Sequence, residues 1–126
     1  MQTQSTVTIL PQTAGALLCI SLSGTVTHGD YLKQFKQPLD HIIKQHNHFK
    51  LLVVIEKDFI GFTKEAADTS LQNKISIGNK AQKIAVVTFD KHYKDKFNLS
   101  KAFFPNCERV AFDNRLADAL KWISAQ

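Results

Sequence analysis

The sequence predicts an α/β domain: a five-stranded, mostly parallel sheet with an N-terminal β-hairpin followed by βα repeats. Three observations carry this. Leu51-Leu52-Val53-Val54-Ile55 is five consecutive apolar residues, three of them β-branched, which is the signature of a strand buried on both faces. Ile84-Ala85-Val86-Val87 repeats that signature without alternation. Stretches with helical apolar spacing separate and follow these runs, and alternating strands and helices make a parallel sheet.

The elements follow in order. Val7-Thr8-Ile9-Leu10 is a short strand ended by Pro11, and Gln12 to Gly15 make a turn. Ala16 to Ser23 form a second strand closed by Gly24, and the short connection implies an antiparallel hairpin. Thr27-His28-Gly29-Asp30 has capping-box spacing, with Asp in place of the usual Glu. Leu32, Phe35, Leu39, Ile42 and Ile43 then recur at helical spacing to about His46. Pro38 falls inside that pattern and predicts a kink or two short helices.

The central strand, Leu51 to Glu56, leads through Lys57-Asp58-Phe59-Ile60-Gly61-Phe62 to Thr63, an N-cap for a helix over Lys64 to Ile77. Gly78 ends that helix as a C-terminal glycine. Its apolar stripe is thin, with Ala67, Leu71 and Ile75 read as the anchoring face, so it is the expected mobile element. After the strand at 84–87, Asp90 caps a helix containing Tyr93, Phe97 and Leu99. Asn106 and Cys107 form a turn, and Arg109 to Phe112 are the fifth strand. Asp113 or Asn114 caps a last helix, with Leu116, Ala119, Leu120 and Ile123 on one face.

The chain of 126 residues fits one domain over 1–126, long enough to bury a core without disulfide or metal. Its two cysteines, Cys19 and Cys107, lie far apart and match neither a disulfide framework nor a zinc pattern, which leaves them as buried thiols. The N-terminus carries no basic and apolar leader pattern, and no apolar run is long enough to span a bilayer, so the expected location is cytoplasmic. A formal net charge of +5 favours acidic partners, anionic lipid or nucleic acid over basic ones, or is a solvated lysine excess.

Chemistry-bearing patterns are sparse. His41, His46 and His48 lack metal-ligand spacing and suit a solvated helix end. No carboxylate pair, G-x-S-x-G setting or phosphate-binding glycine loop occurs, and Asp58, at the end of the central strand, stands alone. No cofactor, metal or catalytic residue is therefore expected. In open α/β sheets ligands bind outside the carboxyl ends of the strands, which makes the turn after Glu56 the first place for a site. Lys91, Lys94, Lys96 and Lys101 interleave with Tyr93, Phe97, Phe103 and Phe104. This lysine and aromatic segment reads as a membrane-surface element or as a core-facing helix with a solvated lysine face. It lacks arginine and any RNA-binding motif, so nucleic acid is not expected.

The strand and helix order, with Phe59-Ile60-Gly61-Phe62-Thr63 after the central strand, Ile84-Ala85-Val86-Val87, Lys101-Ala102-Phe103-Phe104-Pro105 and the ending Ala119-Leu120-Lys121-Trp122-Ile123, resembles the SpoIIAA-like proteins. These are small bacterial domains related in fold to the STAS domains of anti-sigma-factor antagonists. The resemblance implies a non-enzymatic binding module that works through a protein partner, with a homodimer as a further expectation. The regulatory STAS proteins carry a phosphorylatable serine where the next helix begins, which puts Thr63 at that position here. Their Asp-Ser-Ser-Gly-Leu-like run is replaced by Phe62-Thr63-Lys64-Glu65-Ala66. The alternative comes from the similarly laid out CRAL-TRIO domains: an apolar small molecule or lipid is bound, with peripheral attachment at the inner membrane face. Either reading makes Asp58, Phe59, Phe62, Thr63 and Leu71 the binding residues.

Overall fold

A computed structural model describes residues 6–99, 103–104, 107–113 and 115–125, the side chains of Lys96, Asn98 and Leu99 excepted. Strands β1 (Val7–Ile9), β2 (Leu17–Leu22), β4 (Phe49–Ile55), β6 (Ala81–Thr88) and β7 (Glu108–Asp113) form one sheet in the order β1-β2-β4-β6-β7. Only β1 is antiparallel, paired with β2 as the hairpin reading requires. The β2–β4, β4–β6 and β6–β7 pairs are parallel. The α/β class and mostly parallel sheet are thus as the sequence predicts. Strands β4, β6 and β7 run longer than their apolar centres, β6 beginning at Ala81 rather than Ile84, while β1 and β2 are shorter than the 7–10 and 16–23 expected.

Because side chains alternate across a strand, the sheet has two apolar faces. Leu18, Ile20, Leu22, Leu51, Val53, Ile84 and Val86 form one, covered by Tyr31, Leu39, Ile42 and Ala66. Cys19, Leu52, Ala85, Val87 and Phe112 form the other, covered by Ala119 and Ile123 of α5 (Leu116–Ser124). Burial pushes the thiols of Cys19 and Cys107 up to about 11, which fits inert apolar side chains rather than nucleophiles.

The helix after the hairpin does not break at Pro38. It runs as α1 (His28–Tyr31), a π turn (Leu32–Lys36) and α2 (Gln37–His46). Pro38 lies at the start of α2, and Gln37 N–H reaches back five residues to the carbonyl of Leu32. The widened turn accommodates the missing proline donor, so a π bulge replaces the expected kink. Asn47, in the left-handed region at φ 63°, closes α2.

Thr27 caps α1, its Oγ1 accepting Asp30 N–H at 3.2 Å. The Asp30 carboxylate turns elsewhere, accepting Thr6 N–H at 2.9 Å and Thr6 O–H at 2.8 Å. These bonds, backbone first, hold its carboxyl below the usual range. A depressed folded-state pKa contributes stability that is fully present above the unfolded value of about 3.9 and is lost as pH falls through the folded one. Asp30→Asn is therefore expected to lower the melting temperature at pH 7 and to flatten the acid limb of a melting-temperature profile below about pH 4.

One predicted detail is corrected at the last helix. Asp113 ends β7 and pairs with Lys94, while Arg115 occupies the N-cap position of α5 without a side-chain cap bond. Asn114 lies outside the described residues.

Candidate functional site

The carboxyl ends of β4 and β6 carry the loops that form the candidate site. After Ile55 the chain turns at once: Phe59 N–H donates to Glu56 C=O at 3.1 Å. Ile60 N–H then donates to Gly24 C=O at 2.7 Å, which ties this loop to the end of the hairpin. Gly61 sits at φ 154°, a value that side chains disfavour, and begins a two-residue strand, β5 (Gly61–Phe62). It pairs in parallel with β3 (Thr25–Val26), with Thr25 opposite Gly61 and Val26 opposite Phe62. Thr63 N–H donates to Val26 C=O at 2.9 Å. The small sheet sets the two helix starts, Thr27 and Thr63, side by side.

Thr63 is the N-cap of α3 (Lys64–Ile77), with its Oγ1 accepting Ala66 N–H at 3.2 Å. His28 Nδ1 lies 3.9 Å from Glu65 Oε2 across the two helix starts. Four aromatic rings join beneath: Phe59 contacts Phe62 at 5.8 Å and Tyr93 at 5.2 Å between centroids, and Phe62 meets Tyr31 edge-on at 6.4 Å. Phe59 is half-buried against the core, and Tyr93 Oη donates to Ile60 C=O at 3.4 Å. Asp58 is exposed on the turn. The structure thus brings Phe59, Phe62 and Thr63 together, with Asp58 beside them.

Leu71 is different. The inward face of α3 is Ala66, Ser70 and Asn73, not Ala67, Leu71 and Ile75. Leu71 is 46% exposed and Ile75 67% exposed, on the outside of the helix. The reason is a long-range hydrogen bond. Asn73 Nδ2 donates to Tyr31 Oη at 3.1 Å in a buried setting, and Ser70 also bonds the phenol. Burial raises the Tyr31 pKa, so the phenol stays neutral. A helix read by apolar periodicity is therefore seated the other way round, on polar groups. Leu71 faces outward, well along the helix from the turn.

The lysine and aromatic segment is taken apart by the fold. Helix α4 (Lys91–Leu99) is capped by Asp90, whose Oδ1 accepts His92 N–H at 2.9 Å. Lys91 is exposed, whereas Lys94 pairs with Asp113. Phe104 is buried in the core and Phe103 packs against it, so neither forms the outward apolar face of an interfacial helix. Lys101 and the side chain of Lys96 lie outside the described residues. The sequence reading missed Arg109, whose guanidinium lies 4.0 Å from the Phe97 ring centroid and 5.3 Å from that of Phe104 and donates to Phe97 C=O. Burial lowers its pKa. A charged residue inside a predicted strand was the available signal.

Beside the turn, Ile55, Glu56, Lys57, Thr88, Phe89, Asp90 and Lys91 line a cleft of about 480 Å³. Lys57 Nζ lies 4.9 Å over the Phe89 ring. Three large apolar side chains are presented at this end: Ile60 is 74%, Phe89 50% and Phe62 36% exposed. No group of three or more His, Cys, Asp or Glu suited to a metal occurs among the described residues.

A family model described as SpoIIAA-like matches residues 17–124. The chain belongs to the SpoIIAA-like family. Its architecture agrees with that of a crystal structure from Shewanella loihica PV-4, an uncharacterized protein of the DUF3478 family with a SpoIIAA-like fold. The TM-score is 0.77, with 19% identity over 98% of each chain, a likeness of fold alone. A search of curated proteins finds no match. In this SpoIIAA-like chain no helix among the described residues is long and apolar enough to cross a membrane.

Proposed function

We propose that this SpoIIAA-like domain is a non-enzymatic STAS-like binding module that engages a protein partner through the loops at the carboxyl end of its sheet, with Thr63 as the position where phosphorylation regulates the contact. The observation that carries the reading is the group of exposed apolar side chains Ile60, Phe62 and Phe89. Ile60 and Phe62 are held on a framework of backbone bonds, with Ile60 N–H on Gly24 and Thr63 N–H on Val26. Rigid apolar groups rimmed by charge form the usual centre of a protein contact. A phosphate on Thr63 would sit at the start of α3, where helix N–H groups favour negative charge, and would place new charge beside Phe62.

Photo-crosslinking from position 60 or 89 in extract of the native cells tests the contact. One discrete adduct is expected, lost with Phe62→Asp and weakened by Thr63→Glu. Labelling no different from that of an exposed control position such as Thr8 would remove the proposal, as would a catalysed turnover abolished by Asp58→Ala. Thr63→Ala itself is expected to cost about 1 kcal/mol of stability in denaturant unfolding, and Thr63→Ser much less, because the cap oxygen is kept.

A further inference from the structure

The charge of the chain is not spread evenly over the fold. In a parallel α/β sheet the helices run back against the strands, so their C-termini gather at the amino ends of the strands. Six lysines gather there too: Lys44, Lys74 and Lys121 in the last turns of α2, α3 and α5, and Lys50, Lys80 and Lys83 at the starts of β4 and β6. His46 and His48 join them, and Glu108 is the one carboxylate at that end among the described residues. At the opposite end the acids Glu56, Asp58, Glu65, Asp90 and Asp113 balance Lys57, Lys64, Lys91 and Lys94.

Part of the lysine excess answers the helix dipoles. Lys83 Nζ donates to the carbonyls of Ala125 at 2.7 Å and Trp122 at 3.2 Å, closing the end of α5. Lys80 Nζ donates to Asn47 Oδ1 at 2.9 Å beside the end of α2. A helix terminus carries about half an elementary charge, so three C-termini offset only roughly 1.5 charges of the lysine cluster.

The excess is focused by the register. Between Phe49 and Lys50 the β4–β6 pairing shifts, which sets Lys50 directly opposite Lys83. Like charges directly opposite across two strands repel. Lys83 has Glu108 at 4.0 Å, but Lys50 has no carboxylate partner among the described residues. Both lysines line one cleft of about 760 Å³, together with His48 and the apolar walls of Ala14, Ala16, Leu17 and Ile123.

We infer that this amino-end cleft is a docking site for an acidic, extended segment of a partner protein, with a carboxylate seated on Lys50, because the Lys83 ammonium is already held by the Ala125 and Trp122 carbonyls and Glu108. The walls favour this occupant. Apolar patches between the lysines suit the small side chains of a peptide. Among the described residues none of the exposed large hydrophobic side chains lines the cleft, so it presents no apolar group for insertion into a bilayer. Among the described residues no Phe, Tyr, Trp or Arg lines it, and the neighbouring Trp122 ring is covered by Lys83 Nζ at 5.0 Å, so it offers neither an open stacking platform nor a guanidinium fork for bases. The site lies at the opposite end of the sheet from Ile60 and Phe89 and stands independently of the contact proposed there.

Fluorescence anisotropy of a short labelled peptide of aspartate and glutamate interspersed with alanine provides the test. Binding is expected at low salt, weakening as salt rises. Lys50→Gln, which keeps a polar side chain at the strand start, and the double change Lys44→Glu with Lys121→Glu, both at exposed positions, should each weaken it about tenfold. Lys57→Glu with Lys91→Glu, at the other end, should leave it within about twofold. Loss from the second pair but not the first two changes would overturn the site. So would an absence of salt-sensitive binding. Displacement of the peptide by an oligonucleotide or by phosphatidylglycerol vesicles at equal charge would overturn the choice of a protein segment.

Discussion

Gly78→Ala will destabilise the domain by several kcal/mol, and Gly78→Val will leave little folded protein. Gly78 is buried where α3 passes into a single 3-10 turn, Gly78–Lys80. A Cβ built there would stand 1.9 Å from the Phe103 carbonyl oxygen and 3.0 Å from its carbon. No rotamer relieves that contact, because the obstacle is backbone. Forcing extra volume into a packed site costs about 1–3 kcal/mol when side chains can yield, and more when they cannot. The φ of Gly78 is −57°, an ordinary helical value, so a conformational cost is not the reason. Chemical unfolding monitored by the single tryptophan, Trp122, reads the effect. A loss below about 1 kcal/mol would mean that residues 103–104 move aside freely, and that the junction they make with α3 is loose.

The second large effect lies at the same helix. Asn73→Ala is expected to cost about 2–3 kcal/mol, because it strips the buried Tyr31 hydroxyl of a partner and opens a small void. Tyr31→Phe alone leaves the Asn73 amide short of its acceptor and should cost about 1–2 kcal/mol. The informative variant is the pair Tyr31→Phe with Asn73→Leu. Replacing both partners by apolar groups should cost clearly less than the two single changes added together, a coupling of about 1 kcal/mol or more. Strict additivity in that double-mutant cycle would show that the hydrogen bond does not hold α3 in place. Amide exchange of α3 in Asn73→Ala should then also match the unaltered chain, whereas faster exchange confined to 64–77 is the expected outcome.

These two sites show where the sequence is readable and where it is not. The runs at 51–55 and 84–87 declare the sheet, because strands covered on both faces have no polar alternation to hide them. The hairpin, the helix starts at Thr27 and Thr63 and the Asp90 cap are local chemistry, and local chemistry is written in neighbouring residues. The face of α3 is not local. Ser70 and Asn73 turn inward only because a tyrosine about forty residues earlier is buried against them. Gly78 is identifiable as a helix end, but the need for glycine there comes from the backbone at Phe103. The pairing of β3 with β5 is two residues long on each side, too short for any periodicity to register. Of the candidate site, the turn itself is legible as Phe59-Ile60-Gly61-Phe62-Thr63. The exposure of Phe89 and the removal of Phe104 to the core depend on how α4 and β7 close over the sheet.

The π turn at Leu32–Lys36 sets the angular phase of everything between it and β4. Tyr31, Phe35 and Leu39 follow one another at intervals of four, and all three face the core. In an uninterrupted α-helix each interval of four would advance the line by about 40°. The wider turn absorbs that drift. Deleting one residue from it would leave Leu39 seven residues after Tyr31, about 20° short of two full α-helical turns, so the π turn would close to an ordinary α turn with Leu39 and Ile42 still facing the core. The slack of one residue is therefore held at this turn, next to Pro38 with its missing donor, whereas a deletion within α2 itself would turn the residues after it by about 100° against the sheet.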